Sequence, residues 1–168
     1  DLPFFISNSN HHFQILSDMK IEQIYTGCLA HAAYYLESNG EAAIFDPLRE
    51  VDPYIQRAIK GNAKIKYVFE THFHADFVSG HLDLAKKTGA KIVYGPTAKP
   101  GYDAITAEDN QIFKVGDYSV KVIHTPGHTM ESTTYLLIDE NGKEHGIISG
   151  DTLFIGDVGR PDLAQHVI

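Results

Sequence analysis

The residues best equipped for chemistry fall in three short stretches of a 168-residue chain. Thr71-His72-Phe73-His74-Ala75-Asp76 sets two imidazoles and a carboxylate at alternate positions. Alternate side chains of an extended segment share one side, so these three can converge. In His124-Thr125-Pro126-Gly127-His128-Thr129, a Pro-Gly turn can carry the His128 ring off the end of a strand. Ser149-Gly150-Asp151-Thr152 adds a carboxylate from a third stretch. Neutral imidazole and carboxylate oxygen together suit zinc, iron or manganese. A single histidine is more often a hydrogen-bonded structural residue than a ligand, but three such segments in one chain point to a bound metal. The remaining histidines carry no comparable pattern. His31, His145 and His166 stand alone, His124 reads as a core residue with a local hydrogen bond, His81 as a helix-start residue that caps or packs, and His11 and His12 as a solvated pair.

Each of these stretches follows a predicted strand. Residues 65–70, rich in β-branched and aromatic side chains, run into Thr71; 118–125 alternate towards His128; 144–149 lead to Asp151. Further strands are predicted at 20–25, 33–37, 41–45, 91–94 and 133–139. Ser38-Asn39-Gly40 and Glu140-Asn141-Gly142-Lys143 are hairpin signals. Asp52-Pro53 opens a helix, with Asp52 as N-cap, an apolar stripe of Tyr54, Ile55, Ala58 and Ile59, and an end at Gly61-Asn62. A second helix over 79–88 turns Leu82, Ala85 and Leu84 inward and stops at Gly89. Residues 95–110 read as a loop, on the surface or bordering a substrate cleft. Residues 1–18 lack a steady period, precede Met19, and are expected to lie outside the fold. The order of elements predicts one layered α/β (α+β) domain over 19–168.

Composition bounds the function. Hydrophobic residues are 43% and charged residues 21%, as in ordinary globular domains. The net charge of -8 argues against nucleic acid and against an anionic membrane surface, both of which select clustered Lys and Arg. The single cysteine, Cys28, rules out an intrachain disulfide, fits a reducing cytoplasmic setting, and reads as a small buried hydrophobe. No apolar stretch reaches membrane-spanning length, and no basic, apolar leader opens the chain.

From about Lys20 onward the three motifs, in this order, resemble the metallo-β-lactamase superfamily. The stretch from Gly150 to Leu163 is most similar to the persulfide dioxygenases, with glyoxalase II the nearest hydrolytic relative. The resemblance implies an αββα sandwich. Full members continue past the Gly159-Arg160-Pro161-Asp162-Leu163 stretch, so the C-terminal part of the sandwich is expected to be missing here. Two-metal hydrolases of the superfamily carry a further histidine where this chain has Phe77, and a phenyl ring cannot ligate a metal. A single-metal site is therefore expected. Carried over from the family's mononuclear iron centre, the ligands are His72, His128 and Asp151, which leave open positions on Fe(II). By the same resemblance His74 and Asp76 orient ligands and water, or become direct ligands if two metals bind. Arg160 matches a family arginine that meets the glutathionyl substrate; it could equally form a surface ion pair with Asp157 or Asp162.

The function so implied is oxidation of glutathione persulfide, or a similar small persulfide, by O2 to sulfite and thiol, with one Fe(II) per chain. The alternative is a glyoxalase II-like thioester hydrolase with one or two Zn. A third reading, from a different class, is a truncated metal-binding fragment without turnover. A following rhodanese domain and a homo-oligomer are further expectations of the resemblance.

Overall fold

A computed structural model describes residues 14–16, 19–26 and 31–161. Strands β1 (Gln14–Leu16), β2 (Met19–Thr26), β3 (His31–Ser38), β4 (Glu41–Phe45), β5 (Lys64–Phe69), β6 (Lys91–Tyr94) and β7 (Ile105–Thr106) form one sheet in that order. Helix α1 (Asp52–Lys60) crosses from β4 to β5, and α2 (His81–Thr88) from β5 to β6. Such helical crossovers make parallel pairing possible, and β4 to β7 are parallel while β1 to β4 are antiparallel. Strands β8 (Ile112–Val115), β9 (Tyr118–His124), β10 (Thr133–Ile138) and β11 (Glu144–Ile148) form a second, antiparallel sheet in the order β11-β10-β9-β8. A 3-10 turn at Gly150–Thr152 leads into a small ribbon of β12 (Leu153–Phe154) and β13 (Asp157–Val158).

The period-2 alternation of β4 shows how the layers are built. Ala43 and Phe45 face the second sheet, while Ala42 and Ile44 face the helices. Between the sheets, the Phe69 ring lies 4.9 Å from both Phe45 and Tyr135 and 5.5 Å from Phe113. On the helical side Tyr54 and Ala58 of α1 and Leu84 of α2 pack against Tyr35, Ile44 and Val68. The described residues thus supply three of the four layers of the expected sandwich, with helices on one sheet only. Among them no helix is long and apolar enough to cross a membrane.

Several expectations need correction. Gln14–Leu16, placed outside the fold with the rest of 1–18, pair as an edge strand with Met19–Ile21. In α2 it is Leu84 that is buried, whereas Leu82 is exposed. At 100° per residue the two point some 200° apart, so they cannot both face the sheet. Ile59, on the last turn of α1, is also exposed. Asp52 makes no capping bond; Val51 is the cap residue and the Asp52 carboxylate accepts from Lys87 Nζ at 2.8 Å. The loop at 95–110 contains β7, which extends the parallel sheet beside β6. Cys28, His11, His12 and His166 lie outside the described residues.

The strand directions gather the chemistry at one edge. β4 and β5 end at the same edge, and β3, antiparallel to β4, begins there. β9 and β11 are both antiparallel to β10 and so end together. Hydrogen bonds from β10 to the segment after β5, Thr133 N to Thr71 O at 2.9 Å and Tyr135 Oη to Glu70 O at 2.8 Å, join the two sheets at that edge. Because the Phe69 ring fills the space between the sheets just below these bonds, Phe69→Ala is expected to cost about 3–5 kcal/mol of unfolding free energy. Urea denaturation measures it; a loss below about 1 kcal/mol would contradict this packing.

Candidate metal centre

Three of the sequence candidates converge. Ligand atoms of His72, His128 and Asp151 all lie within 4.8 Å of one another. Asp151 Oδ2 is 3.4 Å from His128 Nε2 and 4.0 Å from His72 Nε2, and the two imidazole rings meet edge-on at 5.0 Å. Donor atoms that share one ion at ~2.1 Å sit roughly 3.0–3.5 Å apart, so small side-chain adjustments close this set around a cation. Burial and the neighbouring His74 lower the pKa of His72, which keeps its imidazole neutral and able to ligate.

The local backbone explains the convergence. Thr125 N donates to Ser132 O and Gly127 N to Thr129 O, folding 125–132 into a tight loop that lifts His128 above β9. Gly150 has a φ of +49°, and a Cβ there would lie 2.2 Å from Thr71 Oγ1. Glycine is therefore what lets the Asp151 segment touch the His72 segment. Gly159 closes the site from the other side, since a Cβ there would lie 1.7 Å from the Asp151 carbonyl oxygen. The hydroxyls of Thr125 and Thr152, 3.1 Å apart, tie the His128 loop to the Asp151 turn.

Behind this group stands a second set that the motifs did not reveal: Asp46, Glu70 and His74, with ligand atoms again within 4.8 Å of one another. Asp46 is buried and holds a left-handed φ of 46°, uncommon outside glycine. Its carboxylate accepts from Thr71 N at 2.7 Å and Thr71 Oγ1 at 2.8 Å, and pairs with His74 Nε2 at 3.0 Å. Having given its proton to Asp46, Thr71 Oγ1 must accept from His72 Nδ1, 3.0 Å away. That fixes the His72 tautomer and turns the Nε2 lone pair towards Asp151. Burial alone would raise the Asp46 pKa, but the His74 charge and these hydrogen bonds hold it low. Burial likewise lowers His74, yet Asp46 and Glu70 outweigh it and bring His74 up to about 9. Burial and the Asp46 charge push the Glu70 pKa well above its ordinary value.

The other sequence candidates divide. His74 adjoins His72, with ring centroids 4.1 Å apart, but its Nε2 is committed to Asp46. Asp76 is exposed and lines a cavity of about 380 Å³ that reaches Asp151. Arg160 is exposed at the end of the described chain. His124 makes the local bond expected of it, to Met130 O at 2.9 Å; His145 pairs with Asp139 at 2.8 Å, and the His81 ring packs on Tyr102 at 5.1 Å. His31, which stood alone in sequence, lines the cavity beside Phe77. An Asp-Pro at the end of a strand was the available signal for Asp46, and the Thr before His72 the signal for Thr71.

This fold is shared with known proteins. Residues 26–167 match the metallo-beta-lactamase superfamily, and the chain belongs to it. A metallo-β-lactamase from Staphylococcus aureus superposes with a TM-score of 0.78 at 39% identity, covering 89% of this chain and 48% of that one. ETHE1 from Myxococcus xanthus superposes with a TM-score of 0.76 at 26% identity, over 86% of this chain and 62% of that one. A hydroxyacylglutathione hydrolase from Rhizobium etli is 38% identical over 74% of this chain and 47% of its own length. The chain spans about half the length of the curated relatives it matches.

Thr71→Val keeps the shape of the side chain but removes the hydroxyl that links Asp46 to His72. Metal affinity, measured by competition with a chelator, should fall about 10- to 100-fold. An unchanged affinity would mean that the hydroxyl does not orient the ligand.

Proposed function

We propose that this chain carries the metal-binding part of a persulfide dioxygenase acting on glutathione persulfide or a similar small persulfide. In this reading His72, His128 and Asp151 hold one Fe(II), His74 and Asp76 orient the ligands and nearby water, and Arg160 pairs with a substrate carboxylate. The observation that carries it is Phe77. Its ring lies 4.4 Å from the His74 ring and 4.2 Å from the His31 ring, so hydrocarbon fills the place where a two-metal relative would have a further imidazole. The motif resemblance to persulfide dioxygenases supports the substrate class.

The balanced reaction is RSS⁻ + O2 + H2O → RSH + SO3²⁻ + H⁺. Iron bound at the site would supply the electron transfer that lets O2 react with sulfur. The chain's own residues provide the setting. Thr71 and Asp46 hold His72 in its ligating tautomer. Leu153, Phe154 and Ile155 place apolar surface along the cavity that reaches Asp151. The open face left by two imidazoles and one carboxylate gives room for two reactants at one centre.

The second reading is hydrolysis of a hydroxyacylglutathione thioester. The names of the curated relatives favour it, and by similarity it has more support than the first. Both readings share a metal centre and a glutathione-type substrate, and a cytoplasmic setting is expected in either. The chain, loaded anaerobically with Fe(II), should hold one iron and take up oxygen in step with sulfite release from glutathione persulfide. Two metals per chain with cleavage of S-lactoylglutathione would replace that account with the hydrolase. Metal-linked stabilisation with neither reaction would reduce the chain to a metal-binding fragment.

A further inference from the structure

The loop that carries His128 is braced within itself. Besides the backbone bonds that fold it, Thr129 N donates to Ser132 Oγ at 3.0 Å, and the hydroxyls of Thr129 and Ser132 are 2.8 Å apart. Such a loop moves as a unit, so what remains to be set is its placement against the His72 segment. One side chain bridges the two near the ligands. Glu131 Oε1 accepts a hydrogen bond from Phe73 N at 3.0 Å. Phe73 stands between His72 and His74, and Glu131 follows His128 by three residues, so the bond joins two ligand-bearing segments 58 residues apart in sequence.

The bond continues the pairing beneath it. β10 starts at Thr133, whose N donates to Thr71 O at 2.9 Å. Two residues further along each chain the backbone at 131 has turned into the loop. There the Glu131 carboxylate meets Phe73 N, as the next carbonyl of an antiparallel ladder would. The Phe73 ring packs on Tyr94 at 4.7 Å, which steadies the donor. The residue before Glu131 is held as well: Met130 O accepts from Thr97 Oγ1 at 3.1 Å and from His124 Nε2 at 2.9 Å. Thr97 reaches it from a left-handed φ of 70°. Among the described residues, the other non-glycine positions with positive φ are Asn or Asp, which tolerate it. A β-branched residue there is strained, and such strain persists only where the surrounding structure fixes it.

We propose that Glu131 is a positioning residue for the metal: by accepting from Phe73 N, its carboxylate sets the His128 loop at the separation from His72 that one shared ion requires. It acts through the backbone of the two ligand segments and does not ligate. Ligands placed before the ion arrives cost less to organise when it binds. The role rests on the metal centre proposed above and is the same for oxidation and for hydrolysis, because both readings share that centre. Without the Glu131 carboxylate all three ligands remain, but the His128 loop loses its hold on the His72 segment.

Co(II), which accepts the same ligand types and reports their geometry in its visible spectrum, is the probe. In competition with a chelator, Glu131→Ala should bind it about tenfold more weakly than the wild type, with shifted visible bands. Glu131→Gln, which keeps an acceptor and loses the charge, should recover most of the affinity and the wild-type bands. The metal-free proteins should unfold at similar urea concentrations. If Glu131→Ala does not fold, as judged by circular dichroism, Glu131→Met, of similar length and without an acceptor oxygen, takes its place. Affinity and spectrum unchanged in Glu131→Ala would overturn the assignment alone. So would an equal loss in Glu131→Gln, which would make the charge and not the hydrogen bond responsible. A large loss of stability in the metal-free variant would overturn it by making the bond a contact of the fold. A wild-type chain that takes no Co(II) from the chelator would remove the metal centre as well.

Discussion

The Asp46 carboxylate is the charge around which this end of the molecule is arranged. It is buried, and it meets Thr71 N, Thr71 Oγ1 and His74 Nε2 within 3.0 Å. An ionised carboxylate in such a place is tolerable only if its lone pairs are satisfied, because desolvation is expensive. Its partners are therefore constrained, and they are Thr71, directly before His72, and His74, two residues after it. Removing Asp46 would leave the His74 imidazole without its acceptor and release the Thr71 hydroxyl that sets the His72 tautomer. Held this way, His72 presents Nε2 towards Asp151.

The fold serves this arrangement by bringing strand ends together. Parallel pairing of β4 and β5 puts Asp46 next to Thr71, and the β10 contacts to Glu70 and Thr71 hold the second sheet against that point. Ala42 pairs with Ile65 but Ala43 with Tyr67, so Lys66 is an extra residue in the ladder. Such a bulge shifts which side chains face the core. After it Phe69 points between the sheets, and the chain leaves β5 directly into the functional segment.

Much of this was legible in the sequence. The strands that carry His72, His128 and Asp151 had clear β-branched and aromatic patterns, and the motifs that follow them named the ligand candidates. Asp46 was hidden because an aspartate before proline reads equally well as a turn. Glu70 looked like the last residue of a strand, and nothing local distinguishes a buried carboxyl group from an exposed one. His31 was out of reach for another reason: it lies more than 40 residues from Asp76, and only the antiparallel pairing of β3 with β4 brings it to the cavity. The choice between Leu82 and Leu84 turned on where α2 begins, and helix boundaries are poorly marked in sequence.

Phe77 and the orientation of His74 bear on the number of metals. With Nε2 of His74 drawn to Asp46 and a phenyl ring beside it, the proposed centre would hold a single metal on His72, His128 and Asp151. X-ray absorption at the iron edge of the Fe(II)-loaded chain tests this most directly. The account predicts one iron with two imidazole scatterers, oxygen neighbours and no metal–metal vector. A third imidazole, or a second metal at about 3.5–4 Å, would contradict it.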